Sequence, residues 1–426
     1  MSQATLFEHA PPRHTHVRRA GAQLEIPEAI DTIPCTHGMH RFAGKFIPNV
    51  PRYLLRNALN NDSSRIVFDP FCGSGTTLVE AALEGRPFLG MDLDPLAVLI
   101  SRAKTRCLSR EELSEVAHFW RNHDFTALCP DLIPPVPNLS HWFSPKAVIQ
   151  LASIKARCIQ LPEDLRTFSL VVMSSVIRRA SNADDQTQKT YVSHTLPKTP
   201  PLPAVLFPEF LKRAISAMRD YGASLPCPPQ GHVFAGDART IAGSLQFRDV
   251  LTSPPYIDSV DYVYNTMLEY FWLLPELGIH SYDRYRVFRK IPMGFTVRDT
   301  QSPEALLADL PTDAARLLAP IYLAISQVSP REARVVLSYF ADLYQHVLAI
   351  RNAQRLGDRY ISILGNSTIR RVLVPTAEVA IALFESAGYA LADRMFYEIR
   401  RHYMKFPRRS NSGKIARDHI LIFEVP

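Results

Sequence analysis

Two short stretches carry the residue types that chemistry would need. The first, "DPFCGSGTT" (69–77), follows an apolar run and places Gly73 and Gly75 where a backbone can turn sharply and approach a ligand closely. A helix starting directly after such a turn aims its N-terminus at whatever sits there. No Gly-Lys-Ser/Thr follows, so this is not a phosphate-binding loop, and the absent third glycine counts against a dinucleotide cofactor. Asp92 closes the next apolar run, "PFLGMDLD", where a carboxylate can accept hydrogen bonds from both hydroxyls of a ribose. The pair suggests a nucleoside ligand without a bound pyrophosphate, although tight turns with a strand-end aspartate also occur in sheets that bind nothing there. The second stretch, "LTSPPY" (251–256), sets two prolines at the end of an apolar run. Neither proline can donate a hydrogen bond and both φ angles are locked near about −65°, so the strand must stop. The carbonyls of Ser253 and Pro254 are thereby held in a fixed direction, available to a ligand. Taken alone, the quartet is equally a stiff turn from strand to loop.

These stretches need a sheet to bring them together. "SRIVFDPFCGSGTTLVEAALEGRPFLGMDLDP" reads as strand, glycine turn, helix and second strand, the opening unit of a parallel α/β sheet. Further apolar runs at 232–238, 249–256 and 333–340, then "ALADRMFYEI" and "DHILIFEV", predict more strands, and "TAEVAIALFESAGY" predicts a helix closed by Gly388. No helical pattern separates the last two runs, so they predict an antiparallel hairpin with a long loop at its tip. The expected fold class is α/β, a Rossmann-like, mostly parallel sheet with a C-terminal antiparallel hairpin. Between 107 and 229 the alternation stops. A Pro-rich stretch, the helical patterns "SPKAVIQLASIKARCIQL" and "LRTFSLVVMSSVIRRAS" and a polar passage predict a mainly helical insertion. A smaller insertion spans about 277–330, which leaves 31–106 and 230–426 as the catalytic domain and 1–30 as a flexible polar arm.

With both stretches in view, the chain resembles the S-adenosylmethionine-dependent DNA amino-methyltransferases. "FDPFCGSGT" is similar to their cofactor motif and "TSPPY" to their catalytic motif. "HRFAGKFIPNVPRYLL" resembles the segment that closes over the methionine end, and "GNSTIRRVLVPTAEVAIALFESAGY" a late sheet segment. The fold this implies is the Rossmann-like methyltransferase sheet, and the cofactor is S-adenosylmethionine. The resemblance implies that Phe71, Gly73 and Gly75 line the cofactor loop, with Asp69 near the methionine amino group and Asp92 on the ribose. Asp237 would accept from the adenine amino group, and Lys45, Phe46 and Pro48 would cover the methionine side. Ser253, Pro254, Pro255 and Tyr256 would form the methyl-transfer site, with the target base flipped out of the duplex and stacked on Tyr256. Serine at the head of the quartet is closer to the cytosine-N4 enzymes than to the adenine-N6 ones. Adenine N6, an RNA amino group and an inactive nucleic-acid-binding relative are the alternatives. In the commonest cytosine-N4 arrangement the recognition region follows the catalytic motif, whereas here the largest insertion lies between cofactor and catalytic motifs.

Charge fits a polyanionic partner. Lys+Arg of 48 against Asp+Glu of 41 gives +7 and a pI near 9.1. The stretch "IRRHYMKFPRRSNSGKIAR" (399–417) holds seven Lys/Arg and no acid, so Arg400, Arg401, Lys405, Arg408 and Arg409 are candidates to grip double-stranded DNA from the hairpin loop. In the larger insertion, basic and amide side chains in "SVIRRASNADDQTQK" suit base edges, making 107–229 a candidate target-recognition region. A cognate restriction endonuclease or another defence component is the candidate protein partner. Six scattered cysteines without a CxxC pair suggest a reducing compartment without disulfides, and Cys35, His37 and His40 lack the second ligand pair that zinc would need. The N-terminus lacks an apolar core of a signal peptide and no run reaches about 18 apolar residues. The expectation is therefore a cytoplasmic protein, of bacterial or archaeal type, with no membrane association.

Overall fold

A computed structural model describes residues 22–23, 35–42, 44, 47–59, 62–185, 187, 189–193, 195, 197–257, 261–294, 301–399 and 417–426. Seven strands make the body of one sheet: β1 (Val67–Asp69), β2 (Phe88–Asp92), β3 (Gly231–Ala235), β4 (Asp249–Thr252), β5 (Arg359–Gly365), β6 (Ala390–Glu398) and β7 (Arg417–Glu424). Their spatial order is β6-β7-β5-β4-β1-β2-β3. The strands from β5 through β3 run parallel, and β7 lies antiparallel between β5 and β6. The mostly parallel Rossmann-like sheet with a C-terminal antiparallel pair is thus the fold of this chain. Of the expected arm, only Ala22 and Gln23 fall within the described residues, and they pair in parallel with Met395 and Phe396 at the β6 edge.

The sheet is buried on both faces, and the two-residue period of a strand divides its side chains between two cores. Val67, Leu251, Ile361 and Ile420 face one core, whereas Phe68, Val250, Tyr360 and Leu421 face the other. The first core is filled by α1 (Asn49–Asn57), α2 (Thr76–Leu83) and α3 (Pro95–Thr105), together with helices of the 107–229 segment. Of these, α4 (Pro145–Cys158), α5 (Glu163–Ile177) and α6 (Pro203–Ser224) are the longest. That segment is helical, and its Phe168, Val172 and Met218 belong to the same apolar cluster as Leu78 of α2. The second core is closed by α7 (Thr312–Ser326), α8 (Pro330–Ala353) and α9 (Thr376–Ser386). Among the described residues, no helix is long and apolar enough to cross a membrane.

One expectation changes. "ARVVLSYF" (333–340), expected as a strand, lies inside α8, which starts at the N-cap Ser329 and Pro330. Ala333, Val336, Leu337, Phe340, Leu343, Val347 and Ile350 are all buried at helical spacing, so the long 3.6-residue period outweighs the local β-branched pair. The strand next to β4 is instead "RYISILG" of β5. Gly388, with φ of 87°, stands just past α9 as the left-handed turn expected there.

One cluster fixes the register of the three central strands at their N-terminal ends. The Arg65 guanidinium, 9% exposed, donates through Nε and Nη2 to Asp249 at 2.9 and 2.7 Å and through Nη2 to Asp358 at 3.1 Å. Arg65 precedes β1, Asp249 opens β4 and Asp358 precedes β5. Removing one partner from such a buried set leaves an uncompensated charge. Arg65→Ala is expected to lower unfolding free energy in urea titration by about 3–5 kcal/mol. A loss below about 1 kcal/mol would mean the register is set elsewhere.

Candidate active site

The glycine loop is held from three sides. Gly73 and Gly75 have φ of 49° and 79°, a region that non-glycine residues enter at a cost. Cys72 N donates to Met91 O at 3.0 Å, Gly73 N to the Asp92 carboxylate at 2.7 Å, and Ser101 Oγ to Gly73 O at 2.7 Å. The end of β2 and the face of α3 therefore shape the loop. A Cβ on Gly75 would stand 2.9 Å from Ser101 Oγ and 3.3 Å from Ser101 Cα.

A cleft opens above the C-terminal ends of the strands, where ligands sit in open α/β sheets. Of the residues expected at the site, Phe71, Gly73, Asp92, Asp237, Ser253 and Pro255 line it together. Gly75, Pro48, Pro254 and Tyr256 do not line it. Pro48 is buried at the start of α1, Gly75 caps α2, and Pro254 is buried. Tyr256 is half-buried and donates its hydroxyl to Asp418 Oδ1 at 2.8 Å. Lys45 and Phe46 lie outside the described residues, as do Arg400, Arg401, Lys405, Arg408 and Arg409. The upstream segment reaches the cleft through Phe42 and Gly44. It is anchored by the buried Glu80 of α2, which takes Arg52 through both oxygens at 2.7 and 3.0 Å and meets His37 Nε2 at 2.8 Å. Among the described residues, no group of His, Cys, Asp or Glu is arranged to hold a metal ion.

Asp69 closes β1, at the strand end where it is expected, and stands behind the cleft wall. Its carboxylate is 1% exposed and does not line the cleft. It accepts from Thr252 Oγ1 at 2.6 Å and from Phe71 N at 3.1 Å. The reason is its position inside the β1 end, between α2 and the neighbouring β4. Burial pushes its pKa up to about 6, with hydrogen bonds pulling the other way. Thr252, the first residue of "TSPPY", thus ties the catalytic motif to the cofactor motif.

Other cleft residues carry no signal in their local sequence. Asp94 caps α3, and its Oδ1 accepts from Leu96 N, Ala97 N and Tyr270 Oη at 2.8, 3.2 and 2.6 Å. Its Oδ2 is buried with no hydrogen-bond partner among the described residues. Arg239 forks onto Asp237 and reaches Asp342 at 3.2 Å, so Asp237 meets the cleft already carrying a cation. Behind Phe71, the His346 ring packs edge-on at 4.8 Å. Burial pushes His346 down to about 4, and its Nδ1 stands 2.8 Å from the Ala238 carbonyl. A carbonyl only accepts, so Nδ1 carries the proton and Nε2 accepts from Tyr360 Oη at 2.7 Å.

Residues 32–102 match the family profile for N6/N4 methyltransferases, described as a DNA methylase. Over that segment the chain is similar to the N6/N4 DNA methylases, whose cofactor is S-adenosylmethionine. The cleft fits that nucleoside on its own geometry: a glycine loop leaves room for close approach, and the unpartnered Asp94 Oδ2 beside Asp92 offers an acceptor to a hydroxyl donor. Over 422 residues, 90% of this chain and 87% of the relative, the sequence is 24% identical to the Type II methyltransferase M.MvaI of Kocuria varians. It is 38% identical over 80 residues to the Type II methyltransferase M.MjaII of Methanocaldococcus jannaschii, covering 19% of this chain and 15% of that one. A solved rRNA methyltransferase, aviRa from Streptomyces viridochromogenes, is 11% identical with a TM-score of 0.33, covering 95% of this chain and 96% of that one. That likeness is too loose to carry an argument.

Two outcomes follow for this site. Gly75→Ala should strain the loop and displace Ser101, weakening S-adenosylmethionine binding by about tenfold or more in calorimetry. Unchanged affinity would show that the loop tolerates a Cβ. Burial, with the Asp94 carboxylate second, pushes Asp92 from 3.8 up to about 7. A raised carboxylate stabilises the fold fully below its unfolded value, and that contribution is lost as pH rises through about 7. Chemical denaturation should therefore show stability falling from about pH 4 to about pH 7 with a smaller slope in Asp92→Asn. Parallel profiles would remove Asp92 as the cause.

Proposed function

We propose that the protein is a site-specific DNA methyltransferase that places a methyl group on the exocyclic N4 amine of cytosine in a flipped-out base. The observation that carries this reading is that Ser253 and Pro255 of the catalytic motif line the same cleft as Gly73 and Asp92 of the cofactor motif. Donor and acceptor would therefore meet in one enclosed space. S-adenosylmethionine, when bound, supplies the sulfonium methyl. Phe71, Gly73, Asp92 and Asp94 would hold its nucleoside and loop side, and Asp237 would meet the adenine amino group with Arg239 fixing the carboxylate.

The rest is geometry. The cytosine amine is conjugated with its ring, so its lone pair is a poor nucleophile. The carbonyls of Ser253 and Pro254, directed by the following prolines, and the Ser253 oxygen would accept both amino hydrogens and favour a more tetrahedral nitrogen. No strong base is needed first, because the proton becomes acidic only once the methyl has moved. Tyr256 would offer its ring face to the extruded base, an interaction of about 1–3 kcal/mol in comparable stacks.

Double-stranded DNA would be gripped by Arg400, Arg401, Lys405, Arg408 and Arg409, and its target read by the 107–229 segment. That segment brings a polar loop to the catalytic side: Arg178 donates to the carbonyls of Asp184, Thr187 and Lys189 and to that of Asn265, beyond the catalytic motif. A cognate restriction endonuclease or another defence component would be the partner, in the cytoplasm of a bacterium or archaeon, a reading supported by the Type II relatives.

Incubation with unmodified bacterial DNA and labelled cofactor, followed by mass spectrometry of the nucleosides, should yield N4-methylcytosine. Finding N6-methyladenine alone would sink the cytosine assignment. Ser253→Ala should reduce kcat by about 10- to 1000-fold with cofactor affinity retained.

A further inference from the structure

One helix supports a wall of the cleft from behind, through two residues that do not line it. Asp342 and His346 stand one turn apart on the same face of α8, outside both motifs. Both are buried, at 5% and 0% exposed. Asp342 Oδ2 accepts from Arg239 Nη1 at 3.2 Å, while Arg239 gives Nε and Nη2 to Asp237 at 2.9 and 2.6 Å. His346 donates from Nδ1 to the Ala238 carbonyl at 2.8 Å, accepts from Tyr360 Oη through Nε2 at 2.7 Å and sets its ring against Phe71. Phe71, Asp237, Ala238 and Arg239 all line the cleft, so four wall residues lean on two side chains of one helix.

Counting donors and acceptors gives this support a chemical meaning. The Arg239 guanidinium lies between two carboxylates, and each of its three nitrogens is engaged by one of them. An ionised carboxylate only accepts, so Asp237 can take a hydrogen from an amino group on a ligand's base. It repels an oxo group, whose lone pairs would face its own. A guanidinium only donates, so an arginine turned toward the base would reverse that preference. Asp342 holds Nη1 away from that role, and His346 pins the peptide that follows Asp237.

We propose that Asp342 and His346 are positioning residues for the cofactor's base: they keep Asp237 as the acceptor that meets it, so that the cleft selects a 6-amino purine over a 6-oxo purine. This rests on the reading of Asp237 as the residue that meets the adenine amino group. Asp342→Asn keeps the volume and removes the charge, which releases the guanidinium to offer Nη1 to an oxo group. His346→Phe keeps a ring against Phe71 and removes the donor to Ala238, which loosens the turn that carries Asp237.

Calorimetry with S-adenosylhomocysteine and its 6-oxo counterpart, S-inosylhomocysteine, tests this without catalysis. The unmodified protein should prefer the amino form by about 100-fold or more, and Asp237→Ala should bring the two affinities within about threefold of each other. Asp342→Asn and His346→Phe should each shrink the preference by about tenfold. A merely looser fold would weaken both ligands alike and leave the ratio where it was. Asp342→Asn added to Asp237→Ala should change the ratio no further, because it acts through Asp237. An unchanged ratio in folded Asp342→Asn, beside a collapsed one in Asp237→Ala, would overturn the role of α8 alone. A preference that survives Asp237→Ala, or that the unmodified protein lacks, would defeat the reading of Asp237 and the positioning role with it. If Asp342→Asn fails to fold, His346→Phe reads the same ratio from the second contact.

Discussion

The active-site architecture depends on one shared carboxylate. Asp69 sits at the end of β1 with almost no exposure, and it joins Phe71 N, at the start of the cofactor loop, to the Thr252 hydroxyl, at the end of β4. A strand end alone leaves its last residues free to splay, since ladder hydrogen bonds stop there. With Asp69 in place, the glycine loop and the proline quartet share one anchor. The Arg65 cluster does the corresponding work at the other end, so β1 and β4 are pinned by charge below and by a carboxylate above, and β5 by the charge cluster.

Much of this was legible in the chain, for a physical reason. Glycine at positive φ and proline without a donor impose their geometry on the residues that carry them, so "DPFCGSGT" and "TSPPY" announce a turn and a strand stop wherever they fold. Apolar periods likewise spoke for the helical 107–229 segment and the final hairpin. The failures share a different cause. "ARVVLSYF" has the composition of a strand across eight residues and is helical only because a 3.6-residue apolar period sustained over a 24-residue helix continues through it. Asp94, His346 and Asp418 acquire their roles from Tyr270, Ala238 and Tyr256, partners so distant in sequence that no local pattern couples them.

The 107–229 segment also qualifies what an insertion means. Its chain position between β2 and β3 marks it as an addition, yet its apolar side chains share the core of α1, α2 and α3. Lys155 of α4 donates to the Trp272 carbonyl at 2.8 Å and pairs with Glu276 at 3.1 Å, and Phe143 meets the Trp272 ring edge-on. The segment is therefore a wall of the same body as the cleft, its buried side chains held by packing.

The bond from Tyr270 to Asp94 has a consequence for how this chain can change. The chain lines the cleft at Pro255 and again at Val263, and Tyr270 then grips the acid beside the glycine loop. From Val263 to Tyr270 the segment is tethered at both ends to one pocket and behaves like a belt of set circumference. Its other side chains can be exchanged, but adding or removing a residue there would have to move either the cleft wall or the Asp94 carboxylate. Diversity in this stretch should therefore come by substitution, and variation in length should collect in the loops beyond it.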